Sequence, residues 1–421
     1  MKRRTFLSGA ASLMASSGLV AGTELARAES AIDRLLRSRD RGQWKDQFDA
    51  QQGEAAVHAS KQPIFSALTP QLVERAIADY RQIVVNGGWP VVPANEKLEL
   101  GKSSTNVPIL RKRLIISGDL PLSAAGSPVF DSWVKAGVQR FQERHGLPAD
   151  GIAGRYTYAA MNVSASIRLG QLETNLVRLR SMSGYLGDRY VMVNIPAAHI
   201  EAVENGVVAS RHTAIVGKVD RQSPILNSKI HEINLNPYWT APVSIVKKDI
   251  IPLMQKDPGY LTRNSIRIYA PDGTELAPET VDWNSDEAVN YMFRQDPGKI
   301  NAMGSVKINF PNPHAVYMHD TPQQSLFGKL LRFESSGCVR VQNVRDLVVW
   351  LAKDTPGWNR SEIERVIENG DRIDVELTDP VPVYFTYITA WVTAEGAVQF
   401  RDDIYRRDGV EELALGTDTT L

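Results

Sequence analysis

The sequence predicts an α+β protein, with a mainly β region in its second half and helices in its first. Two observations carry that prediction. Helical periodicity recurs between residues 66 and 186, and from Tyr190 it gives way to short β-branched runs joined by tight turns. The chain's 421 residues suffice for two or more domains. Lys plus Arg number 48, as do Asp plus Glu, so the formal charge is zero. Nothing in that balance points to nucleic acid or to a polybasic membrane contact.

Residues 1–28 predict an export signal peptide. Lys2, Arg3 and Arg4 precede an apolar, small-residue stretch, and Ala26-Arg27-Ala28 has the spacing of a signal-peptidase site. Arg3-Arg4-Thr5-Phe6-Leu7 resembles a twin-arginine signal, with the general secretory route as the alternative. No later apolar run reaches the roughly 18 residues that mark a membrane span. Residues 29–60 are polar and charged and predict a linker.

Leu68, Leu72, Ile77 and Ile83 recur on one face from Ser66 to Gly88, and Gly87-Gly88-Trp89-Pro90 ends that helix. Residues 61–105 form the first part of a helical scaffold. Short helices follow near 110–118, over 128–144 and near Thr157–Asn162, joined by glycine-rich turns. Each needs a shared core to be stable. Residues 106–165 are therefore one small helical module. A helix over 163–186 leads on from it, placed as a scaffold helix at 166–187.

Residues 188–379 predict the β-rich domain. Tyr190–Ile195, Ile200–Gly206, Val207–Ser210 and Arg211–Gly217 read as successive strands of a meander without crossover helices. Ser228–Tyr238 alternates until Pro237 stops it. The stretch 243–304 is too long for a hairpin loop, so it is an insertion that is either functional or mobile. Ser305–Phe310 and Ala315–His319 are strands, a short helix lies at Phe327–Leu331, and helices cover Asn343–Ala352 and Ser361–Asn369. Ile373–Leu377 and Pro382–Val392 add strands, and residues 380–421 form a C-terminal scaffold extension and tail.

Cys338 is the only cysteine in the chain, and His319 lies nineteen positions upstream. A thiol paired with an imidazole is the arrangement of an activated nucleophile. Gly337 allows a tight turn before the sulfur, Ser335 and Ser336 suit that turn, and Arg340 adds positive charge nearby. The backbone N–H groups of Gly337 and Cys338 are candidates for holding an oxyanion. Ser335 or the Ser336 backbone is the candidate for orienting His319, since Asp320, adjacent on a strand, faces the other way. Tyr238, Trp239 and Tyr317 are candidates to border a substrate cleft. The seven histidines and one cysteine form no close ligand set, so no metal is expected.

His319 followed by Ser335-Ser336-Gly337-Cys338-Val339-Arg340 resembles the signature of L,D-transpeptidases of the YkuD superfamily. Serine at 336, where the commoner form has histidine, is similar to the large, multidomain YcbB-like branch. Phe141-Gln142-Glu143-Arg144-His145-Gly146-Leu147 with Asp150-Gly151 resembles the small peptidoglycan-binding module. The resemblance implies a YkuD-like catalytic domain on a helical scaffold with that module inserted, and a segment at 243–304 partly covering Cys338. It implies Cys338 as nucleophile and His319 as general base, with no cofactor. A tetrapeptide stem would donate its acyl group to the cysteine as a thioester, and a second stem's amine would take it, giving a 3→3 peptidoglycan cross-link. The alternatives are L,D-carboxypeptidase action, attachment of a lipoprotein, and a non-enzymatic peptidoglycan-binding protein. The implied location is the periplasm, in peripheral association with the cell wall.

Overall fold

The computed structural model describes residues 61–409 apart from Ser183 and Tyr185. The expected signal peptide, the linker and the end of the tail lie outside the described residues. The first helix among the described residues is α1, Thr69–Val85, whose buried face carries Val73, Ala76, Ile77 and Tyr80. Three shorter helices follow: α2 Asn106–Ile116, α3 Ser132–Arg144 and α4 Arg155–Asn162. They surround one apolar cluster that includes Val107, Leu110, Leu114, Phe130, Phe141 and Met161. Asp131 caps α3 by accepting the Val134 amide at 3.1 Å, a contact worth about 1 kcal/mol. Helix α5, Ala165–Ser181, is capped by Ser164. It shares a second cluster with α1, in which Leu172 and Leu179 meet Val73, Ile77 and Tyr80.

Fifteen strands follow in the order β1 Arg189–Asn194, β2 His199–Glu204, β3 Val207–Gly217, β4 Leu226–Leu235, β5 Trp239–Thr240, β6 Ile266–Tyr269, β7 Glu275–Leu276, β8 Met292–Gln295, β9 Val306–Asn309, β10 Met318–His319, β11 Phe333–Ser335, β12 Val339–Val341, β13 Ile373–Thr386, β14 Ala390–Val392 and β15 Val398–Phe400. Nine form one sheet, ordered β11-β3-β12-β10-β9-β4-β13-β1-β2, and β2 also pairs with β3. That extra pairing closes the sheet into a barrel, which removes exposed edges. Helices α6, Val344–Leu351, and α7, Arg360–Asn369, lie between β12 and β13 in the chain. Leu347, Leu351, Ile363 and Val366 from these helices share a core with Val193, Ile233, Met318 and Val339 from the barrel.

Four details depart from the sequence expectation. Val207–Gly217 is one strand, not two, because Arg211, in its middle, is held by a 2.8 Å ion pair to the buried Glu201 on β2. The sheet is mixed: β1 runs parallel to β13, β10 to β12 and β11 to β3. The short helix expected at Phe327–Leu331 lies earlier, as a 3-10 turn at Gln324–Gly328. Strand β13 passes position 379 without ending. Its register shifts between Glu376 and Val381, a stretch that contains Pro380, consistent with proline being tolerated at a bulge.

The insertion is a small body with its own core. A helical run at 243–256 and a four-stranded sheet, β5-β8-β6-β7, enclose Val246, Ile250, Met254, Leu261, Ile268 and Phe293. Among the described residues no helix is long and apolar enough to cross a membrane.

Candidate active site

The parallel pairing of β10 with β12 assembles the site. Met318 lies opposite Val339, and both are fully buried in the barrel core. Alternation along each strand then puts Tyr317, His319, Cys338 and Arg340 together on the outer face. His319 is in register with Arg340, so Cys338 is its diagonal neighbour across the two strands. Diagonal neighbours are separated by about 7–8 Å at Cα, within reach of longer side chains. The imidazole is 7% exposed and packs edge-on to the Tyr317 ring, with centroids 5.6 Å apart.

The orientation of His319 comes from its own backbone neighbour. Its Nδ1 lies 2.5 Å from the carbonyl oxygen of Asp320. A carbonyl only accepts, so Nδ1 carries the proton and the Nε2 lone pair is left as a base. This corrects the assignment of that task to Ser335 or Ser336. Ser335 instead closes the nucleophile turn: its Oγ donates to the Cys338 carbonyl at 2.5 Å and accepts the Gly337 amide at 3.2 Å. The Gly337 amide is therefore already bonded in this state. Of the two proposed oxyanion donors, the Cys338 amide has no hydrogen-bond partner among the described residues. Gly337 has φ +113°, a conformation that favours glycine.

The turn is braced from behind. Ser223 accepts the Gly217 amide at 3.0 Å and donates to the Gly337 carbonyl at 2.8 Å. The Tyr405 hydroxyl meets the Gly217 carbonyl at 2.5 Å and the Ser223 amide at 3.2 Å. Ser336 is exposed and accepts Arg221 at 2.9 Å, while Arg221 also makes an ion pair with Asp249 of the insertion. Sequence reasoning missed Arg221, Ser223 and Tyr405, because a hydroxyl reaching a backbone group far along the chain leaves no local pattern.

Among the cleft candidates, Trp239 and Tyr317 come together and Tyr238 stands apart. Burial pushes the Tyr317 hydroxyl up, and both Cys338 and Trp239 lie near enough to act on it. Tyr238 is 38% exposed and stacks under Arg294, 4.3 Å from the ring centroid, with Arg372 at 5.8 Å. The insertion is tied to this region through β8, which pairs with the strand of Trp239, and through Asp249, whose partner Arg221 bonds Ser336. Arg340 donates to Gln323 at 2.8 Å.

Electrostatics keep both reacting groups neutral at rest. Burial pushes the Cys338 thiol up to about 11, opposed by hydrogen bonds from Tyr317 and by the charges of Lys307 and Arg340. Burial pulls His319 down to about 3, helped by Arg340 and Lys307 and opposed by the Asp320 carbonyl. Arg340 favours the thiolate, as expected, but the desolvation of the thiol outweighs it. Because the folded thiol's pKa is raised, thiolate accumulates only as pH climbs toward about 11. Iodoacetamide should therefore inactivate about tenfold faster per pH unit from roughly pH 7 to 10, without levelling near the usual ~8.5. A plateau by pH 8 in stopped-time alkylation would contradict these assignments.

Comparison with known proteins agrees with this architecture. Residues 188–368 match the model of the "L,D-transpeptidase catalytic domain" (YkuD), and residues 103–161 match the "Putative peptidoglycan binding domain". A Haemophilus influenzae protein named "Putative L,D-transpeptidase" is 33% identical over 245 residues, covering 58% of this chain and 49% of its own length. The chain thus spans about half the length of that relative. The solved L,D-transpeptidase of Stackebrandtia nassauensis is 14% identical, covering 70% of this chain and 96% of its own, with a TM-score of 0.25. That of Mycobacterium smegmatis is 12% identical over 47% of this chain and 58% of its own, at 0.23. Superpositions at that level carry no argument. The fold and the matched segments define an L,D-transpeptidase catalytic domain beside a peptidoglycan-binding module. That catalytic domain is of the YkuD superfamily.

Proposed function

We propose that this protein forms 3→3 peptidoglycan cross-links through a Cys338 thioester. The observation that carries the proposal is the shared outer face of β10 and β12, where His319, its Nδ1 held by the Asp320 carbonyl, is the diagonal neighbour of Cys338. His319 takes the proton from Cys338 as the sulfur attacks the carbonyl between the third residue and the terminal D-alanine of a tetrapeptide stem. The Cys338 amide donates to the tetrahedral oxyanion. Collapse of that intermediate breaks the peptide bond, and the imidazolium returns its proton to the departing D-alanine amine. A second stem's amine then attacks the thioester, His319 takes its proton, and the sulfur leaves and is reprotonated.

A resting pair of neutral groups suits this sequence, since the proton moves only when the substrate carbonyl is in place. Segment 106–165 is the candidate for holding glycan while the barrel works on the stem. A peptidoglycan-binding module beside such a domain supports action at the cell wall, outside the cytoplasm. The test is incubation of the protein with purified tetrapeptide muropeptides and mass spectrometry of the products. A cross-linked dimer with released D-alanine is expected. Monomeric tripeptide alone would replace transfer by hydrolysis, and unchanged substrate would overturn the reading.

A further inference from the structure

The peptide unit joining Gly337 to Cys338 is held differently from its neighbours in the nucleophile turn. The unit before it is tied through the Gly337 amide, which donates to Ser335 Oγ at 3.2 Å. The unit after it is tied at both ends, the Cys338 carbonyl accepting Ser335 Oγ at 2.5 Å and the Val339 amide donating to the Tyr317 carbonyl at 3.1 Å. Among the described residues the middle unit has a single tether, the Ser223 hydroxyl on the Gly337 carbonyl at 2.8 Å. Its other end is the Cys338 amide, the proposed oxyanion donor. Glycine at 337 adds no restraint, and a Cβ there would come no nearer than 3.5 Å to a neighbour, so crowding does not fix the unit either.

In a planar trans unit the carbonyl and the amide point in opposite directions. Holding the Gly337 oxygen therefore sets the direction of the Cys338 N–H, away from Ser223. The Ser223 proton has one place to go: its oxygen faces the Gly217 amide at 3.0 Å, which only donates, and the Gly337 carbonyl, which only accepts. Ser223 is fully buried. The Tyr405 hydroxyl accepts the Ser223 amide at 3.2 Å and donates to the Gly217 carbonyl at 2.5 Å. Tyr405 is placed in turn by its own amide, which donates to the Tyr387 hydroxyl at 2.8 Å, and that hydroxyl donates to Asp403 at 2.7 Å.

We infer that Ser223 is a positioning residue for the oxyanion donor: by holding the Gly337 carbonyl it aims the Cys338 N–H at the oxygen of the tetrahedral intermediate, and Tyr405 keeps Ser223 in place. The inference rests on the proposed acyl transfer. A donor fixed in advance needs no reorganisation as charge develops on the substrate. The same bond polarises the peptide unit, which strengthens the N–H at its far end. Without the Ser223 hydroxyl the unit is free to rotate beside glycine, and the N–H is aimed for only part of the time.

The test compares two reactions of one sulfur. Acylation by a tetrapeptide stem builds charge on a carbonyl oxygen, whereas alkylation by iodoacetamide displaces iodide and forms no oxyanion. Both are timed by intact-protein mass spectrometry in wild type, Ser223→Ala and Tyr405→Phe. Deleting an oxyanion donor costs about 10²–10³-fold, so loosening one should cost less: about tenfold in the acylation rate constant for Ser223→Ala and about threefold for Tyr405→Phe, with the half-saturating stem concentration little changed. Alkylation should stay within about twofold in both, since Ser335 and β12 still hold the thiol. Equal losses in the two reactions, as a merely structural serine would give, or wild-type acylation in Ser223→Ala, would overturn the inference while leaving the thioester chemistry standing. Absence of a wild-type thioester with the stem would remove the proposed function and this inference together.

Discussion

Replacing Cys338 with alanine is expected to abolish acyl transfer, to below about one part in 10⁴, with no covalent adduct in intact-protein mass spectrometry. Among the described residues the outer face offers no second thiol, and the Ser335 hydroxyl is turned onto the Cys338 carbonyl. His319→Ala should be milder, costing about 10²–10⁴-fold, because the thiol keeps its position while its proton acceptor is lost. The residual rate should rise with pH as hydroxide takes over the deprotonation of a thiol whose pKa lies near 11. Wild type should show no acid limb near pH 6.5, since His319 stays neutral down to about 3. Single-turnover assays on a stem peptide from pH 5 to 10 check both variants. A His319→Ala rate within twofold or so of wild type would remove the imidazole from the mechanism.

Gly217→Ala is expected to lose about a hundredfold in turnover although Gly217 touches neither sulfur nor imidazole. A Cβ at this position would overlap the Arg221 carbonyl and approach the Ser223 amide to 2.6 Å. Both obstacles are backbone, so the 217–223 loop itself has to move. That loop supplies the Ser223 hydroxyl to the Gly337 carbonyl and Arg221 to Ser336. The overlap should also cost about 1–3 kcal/mol of stability, seen as a melting temperature lower by several degrees. Ser223→Ala removes the hydroxyl's bonds with the Gly337 carbonyl and the Gly217 amide but leaves Arg221 on Ser336 and introduces no overlap, so it separates turn support from crowding: a smaller loss of turnover is expected. Wild-type turnover in Gly217→Ala would show that the brace does not set the position of Cys338.

Much of this was legible in the residues alone. A single cysteine after Gly337, with His319 at the end of a β-branched run, drew attention to the pair before any coordinates. The helices at 69–85 and 165–181 announced themselves by periodicity. The parallel pairing of β10 with β12 was not legible, because two strands of two and three residues carry no signal of direction. Nor was the partner of His319, because a backbone carbonyl is offered by every residue and marks none. Tyr405, in the expected C-terminal scaffold extension, carried no sign of its role; only the closed barrel brings it to a position 188 residues away.

The barrel also decides where the polypeptide can be cut. Residues 188–368 match the catalytic family, yet β13, the stave between β4 and β1, starts at Ile373 and ends at Thr386, and the Tyr405 prop lies further on. Trimming to the recognisable segment would pull out a stave and leave its two neighbours with unpaired edges, prone to stick to other chains. Any shortened version meant for assay or crystallisation has to run past Tyr405, which makes the last described stretch part of the machine and not its packaging.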